Sequence, residues 1–122
     1  MRFAPAVLLL LACAPPAPRS DVAPATLSAR EAGAAIGQTV VVSGDVVQVK
    51  ARTHGGYAYL NFGGRFPDHT FAVLIPDSVV ARFGDLMRFE GHRARATGQV
   101  WLQDAKWPAM TLTDPAALEL LP

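Results

Sequence analysis

Cysteine is almost missing from this chain. Cys13 is the only one, so no disulfide can close within it, and no thiolate pair is available for a structural metal site. Histidine is scarce as well. His54, His69 and His92 come from separate segments, with none of the close spacing that brings two ligands onto one ion. Asp68-His69 are adjacent, but a nucleophilic site needs a serine or cysteine held by the histidine, and no Gly-x-Ser-x-Gly elbow occurs. The paired glycines Gly55-Gly56 and Gly63-Gly64 lie between expected strands, not at a strand-to-helix junction, so they are turns and not a phosphate-cradling loop. No acid occurs from Val46 to Pro67, which removes the carboxylates that a metal-dependent nuclease would gather there. These absences argue against an enzyme, a bound metal and a cofactor. Long apolar runs are missing too: no segment approaches the roughly 20 residues that a membrane-crossing helix needs.

The longest apolar run that is present stands at the start. Arg2 precedes Phe3 to Ala12, the order of the charged and apolar regions of a secretory signal. Leu10-Leu11-Ala12-Cys13 resembles the lipobox of bacterial lipoproteins, in which the cysteine is acylated after cleavage just before it. The alternative is an ordinary signal cut after Ala14 or Ala17. Residues 13–26 are rich in proline and alanine and poor in large apolar groups, the composition of a semi-extended tether. The expected organisation is therefore a signal peptide over 1–12, a tether over 13–26 and one compact domain over 27–122. The expected location is the cell envelope, facing the periplasm or the surface, with Cys13 as a lipid anchor. Ala14 lacks the aspartate of inner-membrane retention, which leans towards the outer membrane. Once Arg2 is lost with the signal, ten lysines and arginines face ten acids, so the mature chain is formally neutral. A strong electrostatic binder of nucleic acid is ordinarily basic.

Within the domain, Leu27 to Ile36 predicts a short N-terminal helix, with Ser28 as cap and Glu31 in the capping-box position. Gln38 to Arg52 is dense in valine and reads as a long strand, bent at Gly44 where a barrel strand changes sheets. Tyr57 to Phe62 and Thr70 to Ile75 follow as the second and third strands. Val79 to Phe83 reads as one or two helical turns, Gly91 to Leu102 as the fourth strand, and Trp107 to Thr113 as the fifth, with Gln103 to Lys106 as the turn between them. Pro108 falls where an edge or an early strand position tolerates it.

This mainly β order, with a short helix between strands three and four, is that of the five-stranded OB-fold Greek-key barrel. Gly37-Gln38-Thr39-Val40 with Ser43-Gly44-Asp45-Val46, Leu60-Asn61-Phe62-Gly63-Gly64, Phe71 to Ile75, Glu90-Gly91 with Ala96-Thr97-Gly98-Gln99-Val100, and Asp114-Pro115 before Leu118-Glu119 together resemble the small bacterial OB-fold domains of the nucleic-acid-binding, tRNA-anticodon-type superfamily. The resemblance covers Ala29 to Leu120. The last hairpin departs from it: Asp104-Ala105-Lys106-Trp107 stands where such domains usually carry a glycine and a basic residue.

OB-folds bind on the face of strands two and three, between the loop joining strands one and two and the loop joining strands four and five. Lys50, Arg52 and His54 fall at the first loop, Tyr57, Tyr59 and Asn61 alternate onto one face, Arg65 lies just beyond, and Trp101 and Trp107 bracket the second loop. Rings beside cations suit single-stranded nucleic acid, because bases stack on the rings while lysine and arginine follow the phosphates. The same set suits a glycan or an envelope protein, which would make the domain a scaffold or adaptor. The two tyrosines also fit ordinary strand aromatics, the two tryptophans core or hairpin packing, and the cations a solvated surface. A second cluster, Arg88, His92, Arg93 and Arg95 around Glu90, reads as solubilising charge.

Overall fold

The structure is a computed structural model, in which residues 24–51 and 55–122 are described. Its strands are β1 (Thr26–Ser28), β2 (Thr39–Lys50), β3 (Tyr57–Phe62), β4 (Phe71–Pro76), β5 (Arg93–Gln103), β6 (Trp107–Thr111) and β7 (Leu118–Leu120). The barrel closes in the order β2-β3-β4-β6-β5, with β5 returning to β2. The β4–β6 pairing is parallel, while the β2–β3, β3–β4, β5–β6 and β2–β5 pairings are antiparallel. This is the five-stranded OB-fold barrel, with β2 to β6 as its five strands. Two three-residue strands, β1 and β7, extend it: β1 runs parallel to β2 and β7 antiparallel to β5.

Strand β2 serves both sheets. Thr39 to Asp45 pair with β5, and Val46 to Lys50 pair with β3 across an irregularity between Val46 and Gln48. The irregularity lies beyond Gly44, the expected bend, which itself pairs in register with Ala94. At Gly44 an added Cβ would come 3.2 Å from the Cβ of Ala29 and 3.4 Å from the Phe62 ring. Glycine is needed there for close approach rather than for an unusual backbone angle. At the irregularity the Val49 N–H is taken up by the Glu90 carboxylate at 3.0 Å. Alternate residues Val40, Val42 and Val46 meet Leu60, Phe62, Phe71, Val73, Val100 and Met110 in the core. Phe62 and Phe71 touch edge to face, 5.4 Å between centroids.

Both expected helices are 3₁₀. Ala29–Ala35 is capped as predicted: the Ser28 hydroxyl accepts from Glu31 N–H at 3.2 Å, and the Glu31 carboxylate accepts from Ser28 N–H at 2.8 Å. Its buried residues are Ala29, Ala32 and Ala35. That three-residue spacing matches the three residues per turn of a 3₁₀ helix. Between β4 and β5 the chain makes two single 3₁₀ turns, Val80–Phe83 and Leu86–Phe89, which bury Phe83, Leu86 and Phe89. Among the described residues no helix is long and apolar enough to cross a membrane.

Candidate ligand-binding cleft

Alternation along β3 sends Ala58, Leu60 and Phe62 into the barrel and leaves Tyr57, Tyr59 and Asn61 on its outer side. Register fixes their neighbours. Tyr59 lies opposite Leu74 and Asn61 opposite Ala72; Ala72 is beside Ala109, which pairs with Trp101. Small residues thus floor the middle of this face while rings occupy its flanks. Tyr57 and Tyr59 pack over Ala72, Leu74 and Ala109. Trp101 remains 37% exposed, with its Nε1–H donated to the Thr111 hydroxyl at 3.0 Å.

At one end of this face a cleft of about 240 Å³ is lined by Lys50, Tyr59, Asn61, Phe66, His69, Gln103 and Asp104. One wall is the β3–β4 loop, residues 63–70. The Gln48 side-chain oxygen accepts both from Asn61 Nδ2 and from the Phe66 N–H, each at 2.9 Å. From the other side the Trp107 Nε1–H donates to the Pro67 carbonyl at 3.2 Å. The loop's first turn depends on its paired glycines. Gly63 has φ +80°, and a Cβ on Gly64 would stand 2.7 Å from the Asp68 carbonyl oxygen.

Phe66, His69 and Trp107 form one aromatic cluster. The imidazole stacks on Trp107 at 5.1 Å and 18°, and Phe66 lies 5.7 Å from His69 and 5.3 Å from Trp107. Phe66 is 55% exposed, a large apolar ring presented to solvent, whereas His69 is buried. The buried His69 Nδ1 has no hydrogen-bond partner among the described residues. Desolvation lowers the imidazole pKa below its ordinary value, against a smaller upward pull from Asp68, so at neutral pH the ring is uncharged.

The other wall is the β5–β6 hairpin, closed by a Lys106 N–H bond to the Gln103 carbonyl at 2.9 Å. Asp104 and Ala105 both take positive φ, 53° and 55°, at the centre of the Gln103–Lys106 turn, and three residues separate the paired Gln103 and Trp107. Gln103 Nε2 reaches the Tyr59 hydroxyl at 3.4 Å, and the Lys106 ammonium lies 4.9 Å from the Trp107 centroid. Pro108 is the second residue of β6, and the parallel pairing with β4 begins only at Ala109, so its missing N–H interrupts no β4 bond.

The structure brings Tyr57, Tyr59, Asn61, Trp101 and Trp107 to one side of the sheet, with Lys50 at its rim. Lys50, Tyr59 and Asn61 line the cleft itself. Trp107 backs its wall through His69, Trp101 sits along the face, and Arg65 is exposed beside Phe66. Arg52, His54 and Cys13 lie outside the described residues. Beside the hairpin of strands four and five, the loop between strands two and three also walls the cleft, held against the face by Gln48 and Trp107. Phe66, His69, Gln103 and Asp104 are site residues that the sequence reading did not single out; the period-two pattern of β5, continued from Trp101, was sufficient to find Gln103.

No family model matches the chain, and no curated protein matches it. Among solved structures it is similar to a protein described as a "putative aspartyl-tRNA synthetase from Leishmania major Friedlin", with a TM-score of 0.55 at 8% identity over 94% of this chain. The match takes in 23% of that protein, so this chain spans about a quarter of its length. An OBody bound to hen egg-white lysozyme superposes with a TM-score of 0.48 and 18% identity, over 72% of this chain and 83% of that one. The first likeness is one of fold, and it agrees with the strand order.

Proposed function

We propose that the domain is a non-catalytic OB-fold module that binds single-stranded nucleic acid across the outer face of β3, β4 and β6. The observation that carries this reading is the convergence of Tyr57, Tyr59 and Trp101 on one sheet face beside Lys50, with the exposed Arg65 next in the chain to Phe66 of the cleft; neither cation is ion-paired with a described residue. Tyr59 and Trp101 stack bases, and Lys50, Arg65 and Lys106 follow phosphates. The fold shared with a protein described as a tRNA synthetase supports the reading, as does the resemblance to the tRNA-anticodon-type superfamily. The proposal includes export: the signal pattern ending at Cys13 supports a lipid-anchored envelope protein whose barrel faces the periplasm or the surface.

One observation favours a second reading, an adaptor for an envelope protein or a glycan. Asp104 lines the cleft and Asp68 stands next to His69, while the chain without its signal carries no net charge. Titration of residues 25–122 with labelled single-stranded DNA and RNA at several salt concentrations separates the two. The nucleic-acid reading expects micromolar or tighter binding, a log–log salt slope of about −0.7 per phosphate contacted, and loss on Tyr59→Ala or Trp101→Ala. Absence of binding at low salt rejects it in favour of the adaptor.

A further inference from the structure

We propose that the cleft between the β3–β4 loop and the β5–β6 hairpin is a pocket for a single guanine base, recognised at its hydrogen-bonding edge by the Asp104 carboxylate. The inference rests on the nucleic-acid reading above and adds base selectivity to it.

Size comes first. A cavity of about 150 Å³ holds one benzene ring, so a cleft of about 240 Å³ has room for a two-ring heterocycle. Planar groups line it: Phe66 and His69 from the β3–β4 loop and Tyr59 from β3. The polar groups then select the base. One N–H of Asn61 goes to Gln48 and one of Gln103 to Tyr59, so each amide keeps an N–H and its oxygen, and Tyr59 keeps its hydroxyl proton; the Asp104 carboxylate accepts only, and Lys50 is the cation.

The Asp104 carboxylate requires a donor edge. Guanine carries N1–H and the 2-amino group side by side, a pair that one carboxylate can accept together. Thymine and uracil offer a single ring N–H between two carbonyls, which face the carboxylate unfavourably. Adenine and cytosine each supply an amino group beside a ring acceptor and make one such bond, not two. Lys50 faces the opposite, acceptor-bearing side of guanine or the adjoining phosphate. The hairpin fixes the backbone from which the carboxylate projects: Asp104 follows the last paired residue of β5 with φ 53°, a conformation that aspartate and asparagine tolerate. Asp104→Asn therefore keeps the turn while removing the charge and half of the acceptor capacity.

The test is a fluorescence-anisotropy comparison of residues 25–122 with 8-nucleotide oligothymidylate (on the order of one OB-fold site in length) and with the same strand carrying one central guanine, inosine, adenine or cytosine. The guanine strand is expected to bind about ten-fold or more tightly than oligothymidylate, with inosine, which lacks the 2-amino group, losing most of that gain. Asp104→Asn should abolish the guanine preference, so that the guanine strand and oligothymidylate bind alike. Equal binding of every strand overturns the pocket but leaves the nucleic-acid module standing. Binding of none overturns both; capture of an arginine-containing peptide in an Asp104-dependent manner would then reassign the cleft to a guanidinium.

Discussion

Two regions of this barrel carry clustered cations, and they use them differently. On the sheet of β1, β2, β5 and β7, Arg93 lies 3.8 Å from Asp45 and bonds the Ser43 hydroxyl, and Arg95 lies 3.3 Å from Glu119. Nearby, Arg88 donates to the Phe83 and Asp85 carbonyls and covers the Phe89 ring. Those charges are matched within the fold. Around the cleft, Lys50 and Arg65 have no ion pair with a described residue, and Lys106 leans on Trp107. Positive charge by itself therefore marks no site in this molecule. The distinguishing feature is positive charge left unmatched beside rings on a floor of alanine.

The contrast can be broken most severely through the cleft's own scaffold. Gly64→Ala places a Cβ against the Asp68 backbone, which cannot yield as a side chain would. A loss of about 2 kcal/mol or more in chemical denaturation is expected, together with loss of ligand binding. The corresponding change at the paired sheet, Arg95→Ala, removes an exposed ion pair and should move stability by no more than about 0.5 kcal/mol.

Next in size is a pH effect confined to the cleft. Burial holds the His69 pKa below its ordinary value of about 6.5. As pH falls below that value the unfolded chain takes up a proton before the folded one does. Stability is thus complete above about pH 6.5, declines below it, and levels off once the folded imidazole protonates. His69→Phe should flatten this part of the stability profile in urea titrations. A profile unchanged by the substitution would mean that the imidazole is hydrated.

Smaller again is Ala105→Gly. Alanine at φ 55° is strained where glycine is not, so the melting midpoint should rise by the equivalent of about 0.5 to 1 kcal/mol. The subtlest prediction sharpens the comparison itself. Lys50→Ala should reduce the salt slope for oligonucleotide binding by about 0.7, while Arg93→Ala leaves it unaltered.

The barrel was largely legible in the sequence because its signals are local. Valine density, the glycine just before the sheet crossing and the Ser28–Glu31 box each act within a few residues. Strands β1 and β7 were missed since three residues carry no period. The cleft's second wall was hidden for a different reason. Phe66 is held by Gln48, 18 residues away, and Pro67 by Trp107, 40 residues away. Such pairings follow from barrel closure, which no window of sequence contains.

The two ties on the β3–β4 loop have a consequence for how quickly and cleanly a ligand is taken up. A loop that orders only when its ligand arrives loses conformational freedom at that moment, about 0.5–1.5 kcal/mol for each immobilised flexible side chain. Here Gln48 and Trp107 have already removed that freedom during folding. Association should then proceed as a single docking event, limited by diffusion and orientation, with no slow isomerisation after the first encounter.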